Sequence, residues 1–220
     1  MKKIIILGTG GNCIDILDSI NEINFINRTY EVIGFLDDDL NKIGMEYYGI
    51  KVLGTLSQAK EFRNVYFVNG IGSPKNFWKK ETILNSLGIS LELFETIIHP
   101  TASISKLSTI GKGSVILQNT TISSNVKIGN HVMILAGCVI NHDDIIEDYV
   151  CIASGVCIAG GVKIEKNSYL GSGSRIIGNI IVGQFSLIGM GSVVIRNVDR
   201  ENVVAGNPAK FLKRLSIESI

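Results

Sequence analysis

An aliphatic residue occupies every sixth position between residues 104 and 194, without an insertion. A period of six fits neither an amphipathic helix nor a single half-buried strand. It predicts a parallel β-helix, in which each hexad supplies one short strand and a corner, and stacked coils bury a continuous aliphatic column. The sixteen positions are Ile104, Ile110, Ile116, Ile122, Ile128, Ile134, Ile140, Ile146, Ile152, Ile158, Ile164, Leu170, Ile176, Val182, Ile188 and Val194.

The first hundred residues show a different pattern, in which apolar runs alternate with helical periodicity. The runs at residues 2–7, 32–36, 49–53, 65–68 and 91–94 predict strands. Helices are expected after the glycines at residues 8–11, and over residues 56–62 and 76–87. This alternation predicts a Rossmann-like α/β domain with a parallel sheet and helices on both faces.

These two patterns divide the chain into three segments. We expect the α/β domain to span residues 1–97 and the β-helical prism to span residues 98–196. Residues 197–220 follow as a C-terminal tail after the repeat has ended. For the end of this tail, at Lys213 and Arg214, a solvated helix is the preferred expectation.

Three polar or glycine-rich stretches follow predicted strands of the first domain. They are Gly8-Thr9-Gly10-Gly11, Asp37-Asp38 and Gly70-Ile71-Gly72-Ser73. Ligands of such sheets sit outside the carboxyl ends of the strands. A glycine-rich turn that opens a helix offers N–H groups to a phosphate, and an Asp that ends the next strand is placed for ribose hydroxyls.

The glycine motif is incomplete, because Cys13 stands where the third glycine of G-x-G-x-x-G would be. This argues against a full dinucleotide site. A tight strand-to-helix turn without a ligand is the alternative explanation of the glycines.

Charge and composition exclude several classes of function. The formal net charge is +1 and neither half carries a long basic run, which argues against nucleic acid as a partner. No apolar stretch reaches the ~20 residues of a membrane span. The apolar run at residues 4–7 ends at glycines, so a first strand is expected rather than a signal peptide. The four cysteines lack metal-type spacing and are expected to be free thiols in a cytoplasmic protein.

The three histidines, His99, His131 and His142, raise the question of a metal site, since some prisms of this kind bind zinc through three histidines. The repeat register argues against a shared site. His131 follows its aliphatic residue by three positions and His142 by two, while His99 precedes the first hexad. We therefore expect no metal.

His142 lies in the corner of its hexad, beside Asn141 and Asp143. If three hexads make one coil, residues eighteen apart stack, and Gly160 and Gly178 follow His142 in its column. The next coil therefore presents the bare step Ala159-Gly160-Gly161, which opens a groove and exposes an N–H group. The alternative is that these glycines serve only turns and that His142 is an ordinary surface residue.

Several motifs, spread over nearly the whole chain, match one family in the same order. They are Ile6-Leu7-Gly8-Thr9-Gly10-Gly11, Gly34-Phe35-Leu36-Asp37-Asp38, Gly49-Ile50-Lys51-Val52-Leu53-Gly54, Ile98-His99-Pro100-Thr101-Ala102, Asn141-His142-Asp143 and Gly206-Asn207-Pro208-Ala209-Lys210. With its hexads, the sequence resembles the hexapeptide-repeat acetyltransferases that modify nucleotide-linked amino sugars, of the bacillosamine and perosamine kind, and their sialic-acid O-acetyltransferase relatives. Two departures are Asn12 and Cys151, which stand where relatives often have His.

The resemblance implies a left-handed prism with three hexads per coil that binds acetyl-CoA, a first domain that binds the nucleotide sugar, and a homotrimer with active sites between subunits. The implied residues for acetyl-CoA are Ala159, Gly160, Gly161, Ile177, Gly178, Gly189 and Lys210. Those implied for the nucleotide sugar are Gly8, Gly10, Gly11, Asn12, Asp37, Asp38, Gly72 and Ser73.

The expected chemistry is direct acetyl transfer to the amino group, with His142 as general base. Asp143, or else Asp144, is expected to fix its tautomer, and the Gly160 N–H to stabilise the oxyanion. An acyl-enzyme on cysteine is the competing chemistry, but no cysteine stacks beside His142. An O-acetyltransferase and a non-catalytic trimeric scaffold remain as alternative functions.

Overall fold

The first part of the chain folds around a five-stranded sheet, here called sheet 1. The computed structural model describes residues 1–217. Sheet 1 has the strand order β3-β4-β2-β1-β5, and all its pairs are parallel except the β3–β4 pair. The strands are β1 (Lys2–Leu7), β2 (Tyr30–Leu36), β3 (Glu46–Tyr47), β4 (Ile50–Gly54) and β5 (Tyr66–Asn69), and the α-helices are α1 (Gly11–Ile26) and α2 (Lys80–Ser86).

Three elements of this domain differ from the sequence predictions. The segment expected as a second helix is a 3₁₀ helix, Leu56–Glu61, which a Thr55–Gln58 capping box starts. The helix expected over residues 76–87 begins as the 3₁₀ turn Phe77–Lys79 and continues as α2. The strand expected at residues 91–94 is reduced to a single parallel bridge between Phe94 and Phe67, because a 3₁₀ turn occupies Leu91–Leu93. Each segment is too short for apolar periodicity to separate a helix from tighter turns.

The hexads form a left-handed parallel β-helix, as predicted. Each hexad contributes a two-residue strand, and each strand pairs with the strand eighteen residues away, as Thr121 does with Val139. The strands are β6 (Ile97–Ile98), β7 (Ser103–Ile104), β8 (Thr109–Ile110), β9 (Val115–Ile116), β10 (Thr121–Ile122), β11 (Lys127–Ile128), β12 (Met133–Ile134), β13 (Val139–Ile140), β14 (Ile145–Ile146), β15 (Cys151–Ile152), β16 (Cys157–Ile158), β17 (Lys163–Ile164), β18 (Tyr169–Leu170), β19 (Arg175–Ile176), β20 (Ile181–Val182), β21 (Leu187–Ile188) and β22 (Val193–Val194).

These strands form the three faces of a triangular prism. Sheet 2 has the order β22-β19-β16-β13-β10-β7 and sheet 3 the order β20-β17-β14-β11-β8. Sheet 4 contains β21-β18-β15-β12-β9-β6. The coil therefore begins with β6, one hexad earlier than the regular pattern in the sequence. The aliphatic residues of the sixth positions, from residue 116 onward, form one buried column inside the prism.

Sheet 4 is the face that carries the first domain. Its outward side chains are apolar, and Val115, Met133 and Cys151 are buried against α1 and the strands of sheet 1. Helix α1 presents Cys13 and Ile16 to the same cluster. This sheet is thus apolar on both sides, because one side faces the prism interior and the other faces the domain.

His131 contributes to this contact between the two domains. Its ring stacks on Tyr149 with centroids 5.3 Å apart and meets the edge of Phe94 at 4.5 Å. Only 4% of His131 is exposed, and burial lowers its pKa to about 4, so the ring is neutral. His131 is therefore a packing residue of the contact between the two domains.

The tail forms a hairpin rather than the expected helix. Strand β23 (Asn202–Gly206) joins sheet 4 beside β21, and β24 (Ala209–Arg214) pairs with it in antiparallel orientation. Residues 209–214 are almost all exposed, which suits an edge strand that pairs on one side only. Residues 218–220 of the expected tail lie outside the described residues.

Two further expectations concern the state of the cysteines and the absence of a membrane span. Cys13, Cys138 and Cys151 are buried and Cys157 is partly buried, and all four are free thiols. Within residues 1–217, no helix is long and apolar enough to cross a membrane.

The aliphatic column yields a stability prediction. Ile128→Ala should lower the free energy of unfolding by ~2–5 kcal/mol, because Ile128 is buried inside the prism and its loss leaves a cavity. Lys127→Ala, in the same strand but on the exposed side, should change it by less than ~0.5 kcal/mol. Denaturant unfolding at one fixed protein concentration measures both, and equal effects would contradict the assigned orientation.

The interdomain ring stack yields a second prediction. His131→Asn should destabilise the protein by about 1–3 kcal/mol, since the ring contacts are lost. Asparagine tolerates the left-handed backbone at this position, where φ is 54°, so backbone strain contributes little. Thermal unfolding measures the loss, and an unchanged unfolding temperature would show that the stack contributes nothing.

Candidate functional site

A cleft of about 510 Å³ opens at the carboxyl ends of the central strands of sheet 1. Strand β1 lies between β2 and β5, so the chain leaves β1 toward one neighbour and later returns on its other side. Such a switch point is where parallel sheets bind ligands. The cleft is lined by all eight residues predicted for the nucleotide sugar, Gly8, Gly10, Gly11, Asn12, Asp37, Asp38, Gly72 and Ser73.

The glycine turn leaves room on the cleft side of α1. Gly8 has a φ of 97°, in the left-handed region, and a Cβ there would lie 3.0 Å from the Cys13 sulfur. A Cβ on Gly10 or Gly11, by contrast, would meet nothing within 4 Å. The turn therefore needs glycine at position 8 for the backbone, whereas Gly10 and Gly11 border open space.

The two aspartates already have partners within the protein. Asp37 accepts hydrogen bonds from the Thr9 hydroxyl and the Asp39 amide, and Lys42 Nζ lies 3.4 Å away. Partial burial acts to raise the pKa of Asp37, but these bonds outweigh it and lower the pKa. Asp38 Oδ1 accepts from the Leu56 N–H at 2.9 Å, at the start of the 3₁₀ helix.

Lys42 is therefore a part of this site that the sequence patterns did not identify, and Thr9 lies in the predicted glycine turn but was not among the predicted binding residues. Lys42 Nζ lies 3.1 Å from the Thr9 hydroxyl and joins it to the Asp37 carboxylate. The ammonium lies next to the carboxylate expected to meet ribose hydroxyls. The pattern D-x-x-x-x-K at residues 37–42 is the signal that could have indicated it.

A smaller cleft of about 130 Å³ lies between the first domain and sheet 4. Asn12 is shared by both clefts, and its side chain donates to the Gly72 carbonyl at 3.0 Å. The prism side includes Cys151, whose sulfur lies 3.6 Å from the Nζ of buried Lys80. Asn12 and Cys151, the two departures from the family that the sequence resembles, thus face the same small space.

His142 lies on a different part of the molecule, at the edge where sheet 2 turns into sheet 3. Its ring covers Gly160 of the next coil, so that a Cβ on Gly160 would lie 2.6 Å from His142 Cε1 and 2.8 Å from Nε2. The predicted stacking of residues eighteen apart is confirmed here. The backbone is also fixed, because the Gly161 N–H donates to the His142 carbonyl at 3.0 Å.

Asp143 is the carboxylate that contacts the His142 ring. The distance from its Oδ2 to His142 Nδ1 is 2.7 Å. Asn125, one coil earlier, donates to its Oδ1 at 2.6 Å, and these bonds from Asn125 and from His142 lower the pKa of Asp143. The ionised carboxylate thus favours a proton on Nδ1, which leaves Nε2 with a free lone pair.

Asp144 does not take part in this contact. Its side chain is fully buried in the prism, where Oδ1 accepts from the Val162 N–H at 2.8 Å. Of the two carboxylates considered for orienting the imidazole, the structure places Asp143 at the ring.

The predicted acetyl-CoA residues fall into two groups. Ala159, Gly160, Gly161, Ile177 and Gly178 form a step on the edge between sheets 2 and 3, beside His142. Gly189 follows β21 and lies at the edge between sheets 4 and 2, where a Cβ on it would lie 2.7 Å from the Cβ of Ala205 in β23. Lys210 lies on β24, opposite Ala205.

Within one chain, therefore, Gly189 and Lys210 do not lie in the groove beside His142. The edge that carries His142 is opposite sheet 4, the face covered by the first domain. The nucleotide cleft and the imidazole of the same chain consequently lie on opposite sides of the prism.

The other histidines make local contacts. His99 Nδ1 lies 2.9 Å from the Thr101 hydroxyl, and His131 is packed between Tyr149 and Phe94. Over residues 1–217, no group of three or more His, Cys, Asp or Glu side chains is arranged to hold a metal ion.

Two family models match the sequence, one for each domain. Residues 3–84 match the PglD N-terminal domain, and residues 107–142 match the bacterial transferase hexapeptide repeats. No curated protein matches the sequence significantly.

Solved structures resemble the chain over nearly its whole length. The acetyltransferase domain of PglB from Neisseria gonorrhoeae FA1090, in complex with acetyl coenzyme A, has a TM-score of 0.85 and 25% identity, covering 96% of this chain and 99% of that one. WeeI from Acinetobacter baumannii AYE has a TM-score of 0.81 and 26% identity, covering 96% and 100%.

A mutant of GDP-perosamine N-acetyl transferase from Caulobacter crescentus, in complex with CoA and GDP-perosamine, has a TM-score of 0.82 and 24% identity, covering 97% and 98%. This last likeness supports the fold alone. The two family models, in the order found, and the structures with the same two domains lead to one assignment. The chain joins a PglD-type N-terminal domain to a prism of bacterial transferase hexapeptide repeats, the two-domain architecture of the acetyltransferase structures that it resembles.

Proposed function

We propose that the protein transfers the acetyl group of acetyl-CoA to the amino group of a nucleotide-linked amino sugar, of the 4-amino-4,6-dideoxy type, for surface-glycan biosynthesis. The observation that carries the proposal is the His142 imidazole, which is held by Asp143 through Nδ1 and lies over the bare Gly160 step. The PglB acetyltransferase domain, which shares both domains with this chain, was solved with acetyl coenzyme A.

The proposed reaction is a direct transfer. The amine nitrogen attacks the thioester carbonyl carbon, and His142 Nε2 accepts the proton that the nitrogen loses. The Gly160 N–H, which makes no hydrogen bond within the described residues, stabilises the oxyanion. When the C–S bond breaks, the sulfur of CoA takes up a proton, and the amide remains on the sugar.

The proposed acceptor site is the cleft of the first domain. The glycine turn at the start of α1 suits the phosphates, and the Asp37–Lys42 pair suits the nucleoside. The smaller cleft beside Asn12 and Cys151 is continuous with it through Asn12, Gly72 and Ser73. Free thiols and the use of acetyl-CoA agree with a cytoplasmic location.

The geometry of one chain supports a trimer with shared active sites. A sugar held in the nucleotide cleft cannot reach His142 of the same chain, because the prism separates them. We propose a closed ring of three copies in which the His142 edge of one subunit faces the first domain of its neighbour. Such an arrangement also brings Gly189 and Lys210 of one subunit to the step of another.

A release assay for the free thiol of CoA tests the proposed activity. The substrates are a panel of nucleotide-linked 4-amino sugars and their hydroxyl counterparts, with the full-length protein. Thiol release only with the amino sugars is expected. Release only with the hydroxyl sugars would instead establish an O-acetyltransferase, and no release together with no thermal shift on adding acetyl-CoA would indicate a scaffold.

His142→Ala should lower kcat by ~10²–10⁴, the usual contribution of a positioned general base. Binding of acetyl-CoA and the oligomeric state should persist, because the His142 ring is exposed and outside the aliphatic column. Steady-state kinetics and light scattering measure these effects. Lys106→Ala is the matched control, since Lys106 occupies the same column two coils earlier and is exposed. Wild-type turnover in His142→Ala would reject the base.

Asp143→Asn should reduce kcat less than His142→Ala does, because the base itself remains. Asparagine also fits the left-handed backbone of residue 143, where φ is 64°, so the corner should keep its shape. The pH profile of kcat provides the measurement. A loss as large as that of His142→Ala would mean that Asp143 does more than orient and stabilise the ring.

Gly10→Phe should block the nucleotide cleft without unfolding the protein. The Gly10 backbone, with φ −70°, accepts any residue, and its Cβ would point into open space within the cleft. Calorimetric titration should show loss of nucleotide-sugar binding and an unchanged affinity for acetyl-CoA. Normal nucleotide-sugar binding would place the acceptor site elsewhere, and loss of both affinities would indicate a folding defect.

A further inference from the structure

Asp144 is a carboxylic acid in the aliphatic interior of the prism. None of its surface is exposed, and its column neighbours, eighteen residues away on either side, are the buried Val126 and Val162. Oδ1 accepts from the Val162 N–H, whereas Oδ2 has no hydrogen-bond partner. An unpaired carboxylate oxygen in such surroundings is costly, and a proton on it removes the charge.

The hydroxyl residues at the same position of other hexads show what this oxygen lacks. Ser114 accepts from the N–H eighteen residues ahead and donates to the carbonyl fifteen residues ahead, that of Gly129, at 2.9 Å. Ser108 makes the same two bonds, and Thr120 and Ser168 make the donating one. Asp144 makes the accepting bond, but as a carboxylate it has no proton to donate.

The carbonyl fifteen residues ahead of Asp144 belongs to Ala159. This carbonyl accepts no hydrogen bond from the described residues. An acceptor without a donor and a buried oxygen without a partner thus occur at the two positions that the serine hexads join. A single proton on Asp144 Oδ2, donated to the Ala159 carbonyl, would give each of these two atoms a partner.

We propose that Asp144 is a protonated positioning residue, which donates from Oδ2 to the Ala159 carbonyl as serine does in other hexads. The bond would fix the peptide unit between Ala159 and Gly160. That unit carries the Ala159 carbonyl at one end and the Gly160 N–H at the other. Because a peptide is planar, a bond that holds the carbonyl inside the prism directs the N–H outward, toward the groove.

This positioning role rests on the proposed function, in which the Gly160 N–H stabilises the oxyanion. The protonation itself does not depend on it. Burial raises the pKa of Asp144 from 3.8 to about 7 and outweighs the Val162 and Asn141 backbone amides and His142, which lower it, while the Asp143 carboxylate raises it further. The unfolded chain therefore loses this proton near pH 4 and the folded chain near pH 7.

Stability falls as the pH rises from the unfolded pKa of Asp144 to its folded pKa, because in this interval only the folded state binds the extra proton. Above the folded pKa the ionised carboxylate remains buried, and its full cost is present. Asparagine has the same shape, accepts through its oxygen and donates through its amide nitrogen at every pH. Asp144→Asn should therefore remove this contribution to the pH dependence.

Infrared difference spectra of wild type minus Asp144→Asn test the proton directly, at about pH 5.5 and about pH 9. The carbonyl stretch of a protonated carboxyl group should appear at the lower pH and vanish at the higher. Thermal unfolding should agree, because the unfolding temperature of Asp144→Asn should increase relative to that of wild type as the pH rises. Absence of the band at low pH, or identical pH dependence of both unfolding temperatures, would overturn the assignment.

Kinetics test the positioning role. Asp144→Val should fold, since valine is the native residue at positions 126 and 162. It should lower kcat about tenfold or more, because a Gly160 N–H that is no longer held in place loses part of the stabilisation that an oxyanion donor provides. The KM for acetyl-CoA should change little, and Asp144→Asn should restore turnover. Ser168→Ala, which removes the equivalent bond to Gly183, is the control and should keep its kcat.

Full turnover in Asp144→Val would overturn the positioning role. If wild type instead transfers acetyl to none of the acceptors, the proposed function fails. The infrared band and the unfolding temperatures still decide whether Asp144 holds a proton.

Discussion

Every coil of the prism advances the chain by eighteen residues, and hydrogen bonds between parallel strands fix this advance. The aliphatic column depends on it, because each sixth residue must point inward on every face. The corners depend on it as well, since His142 and Gly160 meet only because they are one coil apart. One register thus determines both the stability of the prism and the geometry of the proposed catalytic corner.

The same register explains why some features were predictable from the sequence and others were not. Sixteen aliphatic positions without an insertion specify the strands, and addition of eighteen specifies the neighbours of His142. The Lys42–Asp37 pair and the ring stack of His131 arise from contacts between segments with no common period. The 3₁₀ turn at Leu91–Leu93 and the hairpin of β23 and β24 were missed because short apolar segments carry too little periodicity.

The prism contacts the first domain through one face and carries the polar corner with His142 on the opposite edge. Sheet 4 is apolar on both sides and buries one of them against α1 and sheet 1. The edge opposite, between sheets 2 and 3, stays polar and carries His142, Asp143 and the glycine step. A rigid prism thus holds the cleft of the first domain away from the imidazole of its own chain, and in the proposed trimer neighbouring copies bring the two together. The proposed bond from buried Asp144 to the Ala159 carbonyl would connect the interior of the same coil to the surface of this edge.

Subunit complementation tests this central claim most directly. His142→Ala and Gly10→Phe protomers, each inactive alone, are unfolded or dissociated together and reassembled in equal amounts. If each site combines His142 of one subunit with the nucleotide cleft of a neighbour, about a quarter of the sites in random trimers carry both intact parts. Acetyl transfer should then return to about a quarter of the wild-type rate. Mixtures that stay inactive, although mixed trimers have formed, would show that both parts of the site belong to one chain.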